Sequence, residues 1–289
     1  MFDIHLPNED LPCLPFSGNG ASRIQIVAHR PHISADLAIL YIPGYRAAHE
    51  RDPKAGAVRQ AAQNVGADAF FFNYHGHSPE EAQTNLCLET YRNNAKDALE
   101  DVLKVFKHQH VVICSHSMGA VFALTMAARY HRNVVGCLLI APVIGLMDPP
   151  VKDTQGEVVI EGGLGHKRIT LVPDIAKKLN AGETVSPRGI SILQYDPKFI
   201  ADYANWGSME RIPSGIQCPT AIISAERDPF VHATHICAIQ KKIPGASVQF
   251  VPGATHEMKE EAAITALTDS LMTHVPRMRQ HAQGHSCRS

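Results

Sequence analysis

Tryptophan is nearly missing from this chain: Trp206 is the only one in 289 residues. Charge bias is missing too, with 27 Lys plus Arg against 28 Asp plus Glu. So balanced a chain carries no global field to attract nucleic acid or an anionic membrane surface, and neither is expected as a partner. No apolar run approaches the roughly 20 residues of a membrane-spanning helix, so no integral membrane contact is expected. The seven cysteines include no Cys-x-x-Cys pair, and Cys114 and Cys137 sit inside apolar runs. Such usage fits reduced thiols in a cytoplasmic setting, not a disulfide frame. The acidic, Pro-rich start from Met1 to Phe16 lacks the basic and apolar regions of a secretory signal, and a cytoplasmic location is the expectation.

What is present is alternation. Short apolar runs at Arg23 to His29, Leu37 to Ile42, Asp68 to Asn73, Val134 to Ile140, Pro219 to Ala225 and Ser247 to Pro252 read as strands. Between several of them lie helical patterns at Ala55 to Gly66, Leu88 to Phe106 and Ala120 to Tyr130. In the second of these, Ala95, Ala98, Leu99, Val102, Leu103 and Phe106 share one broad face. Buried strands alternating with amphipathic helices indicate an α/β fold: a doubly wound, mostly parallel sheet with helices on both faces. The alternation breaks between Val143 and Gln217. That stretch holds a hairpin-like pair, Glu157 to Glu161 and Arg168 to Val172, and helical patterns at Asp174 to Asn180 and Pro197 to Trp206. The expected organisation is an irregular segment 1–21, a core of 22–142 and 218–274, an inserted cap 143–217 and a flexible polar tail 275–289.

The segment that carries chemistry is Val111 to Ala120, VVICSHSMGA. A buried strand runs into Ser115-His116-Ser117-Met118-Gly119, and a helix follows. This is the strand–turn–helix setting of a nucleophile elbow, in which a strained turn presents the serine hydroxyl. The residues two before and two after must be small, because strand and helix crowd there. Ser115 and Gly119 meet this demand, although Ser115 stands where glycine is usual.

A serine near neutral pH needs a base, and the base needs a third group to orient it and stabilise its charge. Both follow in the order Ser, acid, His. Asp228 lies just past the strand ending at Ala225, with Glu226 as a rival acid two residues earlier. His256 is the only histidine in the loop after the last strand, ahead of an expected terminal helix from Glu257 to His274. Each candidate falls at the carboxyl end of a strand, where open α/β sheets hold their sites. Asp228 could also cap the helix after it, and His232 and His235 on that helix suit packing or solvent.

These residues resemble the serine hydrolases of the α/β-hydrolase superfamily over roughly residues 22 to 275. Tyr41-Ile42-Pro43-Gly44-Tyr45 is similar to the family's oxyanion loop, and His75-Gly76-His77-Ser78 to its Gly-His-Gly-x-Ser loop. Pro43-Gly44-Tyr45-Arg46 with Lys54, and His256-Glu257-Met258, resemble small acyl-ester and acyl-thioester hydrolases, the mitochondrial depalmitoylase-like branch among them. The resemblance implies Ser117, Asp228 and His256 as catalytic triad and the amides of Tyr45 and Met118 as oxyanion hole. It also implies a cap whose Phe199, Tyr203 and Trp206 line an acyl pocket, unless they only pack the cap onto the core. The expected substrate is a small-molecule ester or thioester, with amide or carbon–carbon bond hydrolysis as alternatives on the same machinery. No metal or cofactor is expected. His75 and His77 flank a glycine but lack an evident third ligand. A ligand receptor on the same fold is the alternative outside enzymology.

Overall fold

The computed structural model describes residues 24–30, 35–45, 47–74, 88–144, 151–152, 158–160, 169–170, 212–228 and 231–286. Strands β1 (Ile26–His29), β2 (Leu37–Ile42), β3 (Asp68–Phe72), β4 (His110–His116), β5 (Val134–Ile140), β9 (Thr220–Ala225) and β10 (Ser247–Val251) form one sheet. Its order is β1-β3-β2-β4-β5-β9-β10. Only the edge pair β1 and β3 is antiparallel; all other pairs are parallel. The helices are α1 (Pro53–Val65), α2 (Leu88–Lys104), α3 (Gly119–Arg129), α4 (Ala233–Lys242) and α5 (Glu261–Ser286).

Strand side chains alternate between the two faces. On β2, Leu37, Ile39 and Tyr41 join the core beneath α1 and α5, while Ala38, Leu40 and Ile42 join the core beneath α2, α3 and α4. Every residue of β2 is buried, which explains why the run reads as continuously apolar. The doubly wound expectation therefore holds for the described residues. A separate antiparallel set, β6 (Val151–Lys152), β7 (Val158–Ile160) and β8 (Ile169–Thr170), lies within the stretch read as a cap, with β7 and β8 pairing as the hairpin pattern suggested. The expected helices at 174–180 and 197–206, with Phe199, Tyr203 and Trp206, lie outside the described residues, as does the loop His75 to Ser78.

The carboxyl end of the chain differs from expectation. The terminal helix starts at Glu261 and runs to Ser286, so much of the expected flexible tail is helical. Val275, Met278 and Ala282 are buried. A Cβ on Gly136 would lie 2.2 Å from Met278 Sδ, so β5 leaves out a side chain where α5 crosses it. Arg279 donates to the carbonyls of Val65 (3.0 Å) and Gly66 (2.9 Å), at the left-handed end of α1. A cation there complements the helix dipole. The polar composition hid this, because the apolar residues of 275–282 fall on a single stripe.

Candidate active site

The site forms where β4 ends. Ser117 takes φ 53°, a left-handed value uncommon for serine. The surroundings fix it there: its N–H donates to Ile140 O (2.9 Å) and its carbonyl accepts from Val143 N (3.1 Å). Crowding explains the small neighbours. A Cβ on Gly119 would lie 2.8 Å from Ile42 O and 2.9 Å from Pro43 O. One on Gly44 would lie 2.8 Å from His116 Nδ1 and 3.1 Å from Ser117 Cβ. Ser115 is fully buried opposite Ile42, small enough to fit, and its hydroxyl has no partner among the described residues.

Ser117 Oγ donates to His256 Nε2 over 2.8 Å, and His256 Nδ1–H donates to Asp228 Oδ2 over 2.7 Å. The three residues named from chain order thus form a continuous chain of hydrogen bonds. Asp228 is fully buried at its side chain, and its Oδ1 accepts from Val231 N (2.9 Å). It does not cap α4, whose N-cap is His232. Glu226 is exposed and accepts instead from Gly253 N (2.8 Å), closing the turn after β10. The acid and base loops are pinned to each other by Arg227 N donating to Ala254 O (2.9 Å). His232 is exposed and His235 buried, as packing and solvent roles require.

Helix α3 starts directly after Met118, so this residue lies at the positive end of a helix aimed past the serine. Tyr45 follows Gly44 in the loop packed against Ser117, and its ring rests on Tyr91 at 5.9 Å between centroids. The buried Tyr74 hydroxyl donates to Pro43 O (3.0 Å) and ties that loop to the end of β3. Burial pushes the Tyr74 phenol well above its ordinary pKa.

Several buried polar groups around the site were missed in the sequence. His116 Nε2–H donates to His256 O (3.0 Å). Burial first, then the nearby Lys54 ammonium and His256, hold the His116 imidazole well below its usual range, so it is neutral. Lys54 is 1% exposed, pairs with Asp52 Oδ1 (2.9 Å) and donates to Glu257 O (2.6 Å). Tyr41 donates to the other Asp52 oxygen (2.6 Å). One signal was readable: positions 54, 58, 61 and 62 share a helical stripe, so Lys54 stood on the apolar face of α1 beside Val58, Ala61 and Ala62. No cluster of His, Cys, Asp and Glu suited to a metal occurs among the described residues. Nor, among them, is any helix long and apolar enough to cross a membrane.

The sequence profile of the serine aminopeptidase S33 hydrolases matches residues 57–263, a span that includes Ser117, Asp228 and His256. The chain belongs to this family. It is therefore an α/β-hydrolase enzyme of the serine type. The chain is similar to the human serine hydrolase BPHL, at 23% identity over 238 residues, covering 77% of this chain and 74% of that one. Among solved structures, ferulic acid-bound Est1E from Butyrivibrio proteoclasticus superposes with a TM-score of 0.69 at 14% identity, covering 89% of this chain and 96% of Est1E. Mouse α/β-hydrolase domain-containing protein 10 gives 0.68 at 18% identity, covering 92% and 99%. A soluble variant of the Saccharomyces cerevisiae monoglyceride lipase gives 0.62 at 16% identity, covering 95% and 98%. At these identities the structural likeness speaks for the fold.

Proposed function

We propose that this hydrolase cleaves a carboxylic ester or acyl thioester through Ser117, His256 and Asp228 and an acyl-enzyme intermediate. The observation that carries the reading is the 2.8 Å and 2.7 Å pair of hydrogen bonds joining the three side chains. His256 takes the Ser117 proton as Oγ attacks the carbonyl carbon. Asp228 keeps Nδ1 protonated and stabilises the imidazolium that forms. The amides of Met118 and Tyr45 receive the developing oxyanion, a contribution of about 3 kcal/mol per donor in comparable sites. His256 then protonates the leaving alcohol or thiol, and water repeats the sequence on the acyl-enzyme. Each step uses only the chain's own groups and water. Phe199, Tyr203 and Trp206 are assigned to the acyl pocket.

An ester is favoured over an amide because one of the similar structures is a monoglyceride lipase. The family's description, a serine aminopeptidase, keeps amides as the second reading. The test is a fluorophosphonate label followed by a substrate panel: nitrophenyl esters, acyl thioesters and aminoacyl anilides of graded length. Labelling lost in Ser117→Ala, with turnover of esters or thioesters above anilides, is expected. Faster anilide turnover replaces ester by amide. A folded wild type that neither labels nor turns over any substrate overturns the reading in favour of a receptor.

A further inference from the structure

The buried Asp52–Lys54 pair has a geometry that a purely structural ion pair does not require. Desolvating an ammonium is expensive, and a well-packed apolar residue of similar volume usually serves stability as well or better. Position 54 lies on the apolar stripe of α1, yet holds a lysine whose Nζ reaches 2.6 Å to the carbonyl of Glu257, 203 residues away. That carbonyl belongs to the residue directly after His256. The carbonyl of His256 itself is held from a different element, by His116 Nε2–H at 3.0 Å. Two consecutive carbonyls of one loop therefore point inward onto buried donors.

The loop is tight enough for these anchors to set the imidazole's aim. Met258 N donates to Thr255 O (3.0 Å), and Met258 takes φ 50°, a left-handed value a methionine does not adopt unaided. Thr255 is fastened at the other side, its N–H and hydroxyl both donating to Glu260 Oε1 at 3.0 Å and 2.6 Å. Between these points lie the peptide groups of His256 and Glu257, whose carbonyls face buried donors. Lys54 and His116 hold those carbonyls in place. Asp52 holds the ammonium in place, and Tyr41 holds Asp52.

We propose that Lys54 is a positioning residue for His256, acting through the Glu257 carbonyl, with Asp52 holding Lys54 in place. This rests on the reading of His256 as the catalytic base. A misplacement of a reacting group by about 1 Å can lower a rate roughly 100-fold. The expectation is that Lys54→Met, nearly isosteric and apolar, lowers kcat on a short nitrophenyl ester by about 10- to 100-fold, while KM stays within about twofold.

The readout that separates positioning from scaffolding is the downfield proton resonance of His256 Nδ1–H, identified by its loss in Asp228→Asn. In folded Lys54→Met it broadens or vanishes. Asp52→Asn, which keeps an oxygen for the Lys54 amide, serves where Lys54→Met does not fold, with a smaller loss of kcat and the same spectral change. Wild-type kcat and an unchanged resonance in either folded variant, even at lower thermal stability, overturn the proposal and leave the pair as packing. A wild type that shows the resonance but never labels at Ser117 overturns the hydrolase reading instead. Retention or loss of the resonance in Lys54→Met then still decides whether Lys54 positions the imidazole.

Discussion

The two ends of the sheet each bury a carboxylate beside basic groups, and they use it differently. At the amino end, Asp68 opens β3 and its Oδ2 accepts from Arg30 Nε (2.9 Å) and His108 Nε2 (3.0 Å). These contacts draw together the end of β1 and the start of β3 and β4, and stop there. At the carboxyl end, Asp228 holds a histidine that in turn holds a serine, and Asp52 holds a lysine that reaches the next loop. Backbone strain separates the ends further. Of the described non-glycine residues with positive φ, Ser117, Ala141 and Met258 lie at the carboxyl end, and Lys107 lies near the other. A pair that joins elements stabilises; a pair that fixes a side chain's direction, amid strain that the fold over-determines, prepares chemistry.

The sharpest way to break this contrast is to neutralise one carboxylate at each end. Asp228→Asn is expected to lower kcat by about 10⁴-fold with little change in stability, because the histidine loses its tautomer and its counter-charge. Glu226→Gln should leave kcat near wild type, since that carboxylate only closes the Gly253 turn. Steady-state kinetics on both variants decide it, and an essential Glu226 beside a dispensable Asp228 would reverse the assignment. At the other end, Asp68→Asn should behave oppositely, losing about 3 kcal/mol of unfolding free energy in urea while the folded fraction keeps its kcat. A loss of kcat without loss of stability there would erase the distinction.

Packing at the amino end gives a smaller effect. Gly136→Ala places a methyl against Met278, where α5 crosses β5. Overpacking of this kind costs roughly 1–3 kcal/mol. Pairing it with Met278→Ala should restore part of the loss in thermal unfolding, and additivity of the two would show that they do not meet.

The smallest effect is a pH dependence. The folded pKa of His116 is depressed, chiefly by burial. In the unfolded chain it binds a proton near pH ~6.5. Between the folded and unfolded values the unfolded state carries more protons, so stability rises with pH across that window and falls as pH drops below ~6.5. Urea midpoints measured between neutral and mildly acidic pH should slope this way, with a shallower slope in His116→Gln. His49 and His274, also depressed by burial, contribute in the same direction. An unchanged slope in His116→Gln assigns the effect to them. On the surface, Glu100 works at lower pH. Hydrogen bonds from Lys104 and Tyr130 hold it at about 2, so its contribution is complete above the ordinary carboxylate range and lost as pH falls toward that value.

Local signals carried much of this into the sequence. The run VVGCLLI marked β5 at its observed bounds, and strand ends with their following loops identified Ser117, Asp228 and His256 in order. The start of α5 was misread because Thr255 and Glu260 close a separate turn before it. The helix past residue 275 was misread because polar residues outnumber the buried Val275, Met278 and Ala282. The contacts among Tyr41, Asp52, Lys54 and Glu257 join segments far apart in the chain, and no local pattern shows which carbonyl a buried ammonium will meet. Lys54 entered the sequence reading only through a motif resemblance, outside the helix expected from Ala55.

The burial of Lys54 has a use in following motion. An amine-reactive reagent cannot reach a side chain 1% exposed in the closed protein. Acylation of this one nitrogen therefore requires the structure around it to open. With reclosing fast relative to modification, its rate reports the equilibrium population of the opened form. Peptide mass analysis of Lys54 against exposed lysines such as Lys104 would count those openings in the resting enzyme, and again after Ser117 is acylated by a slow substrate.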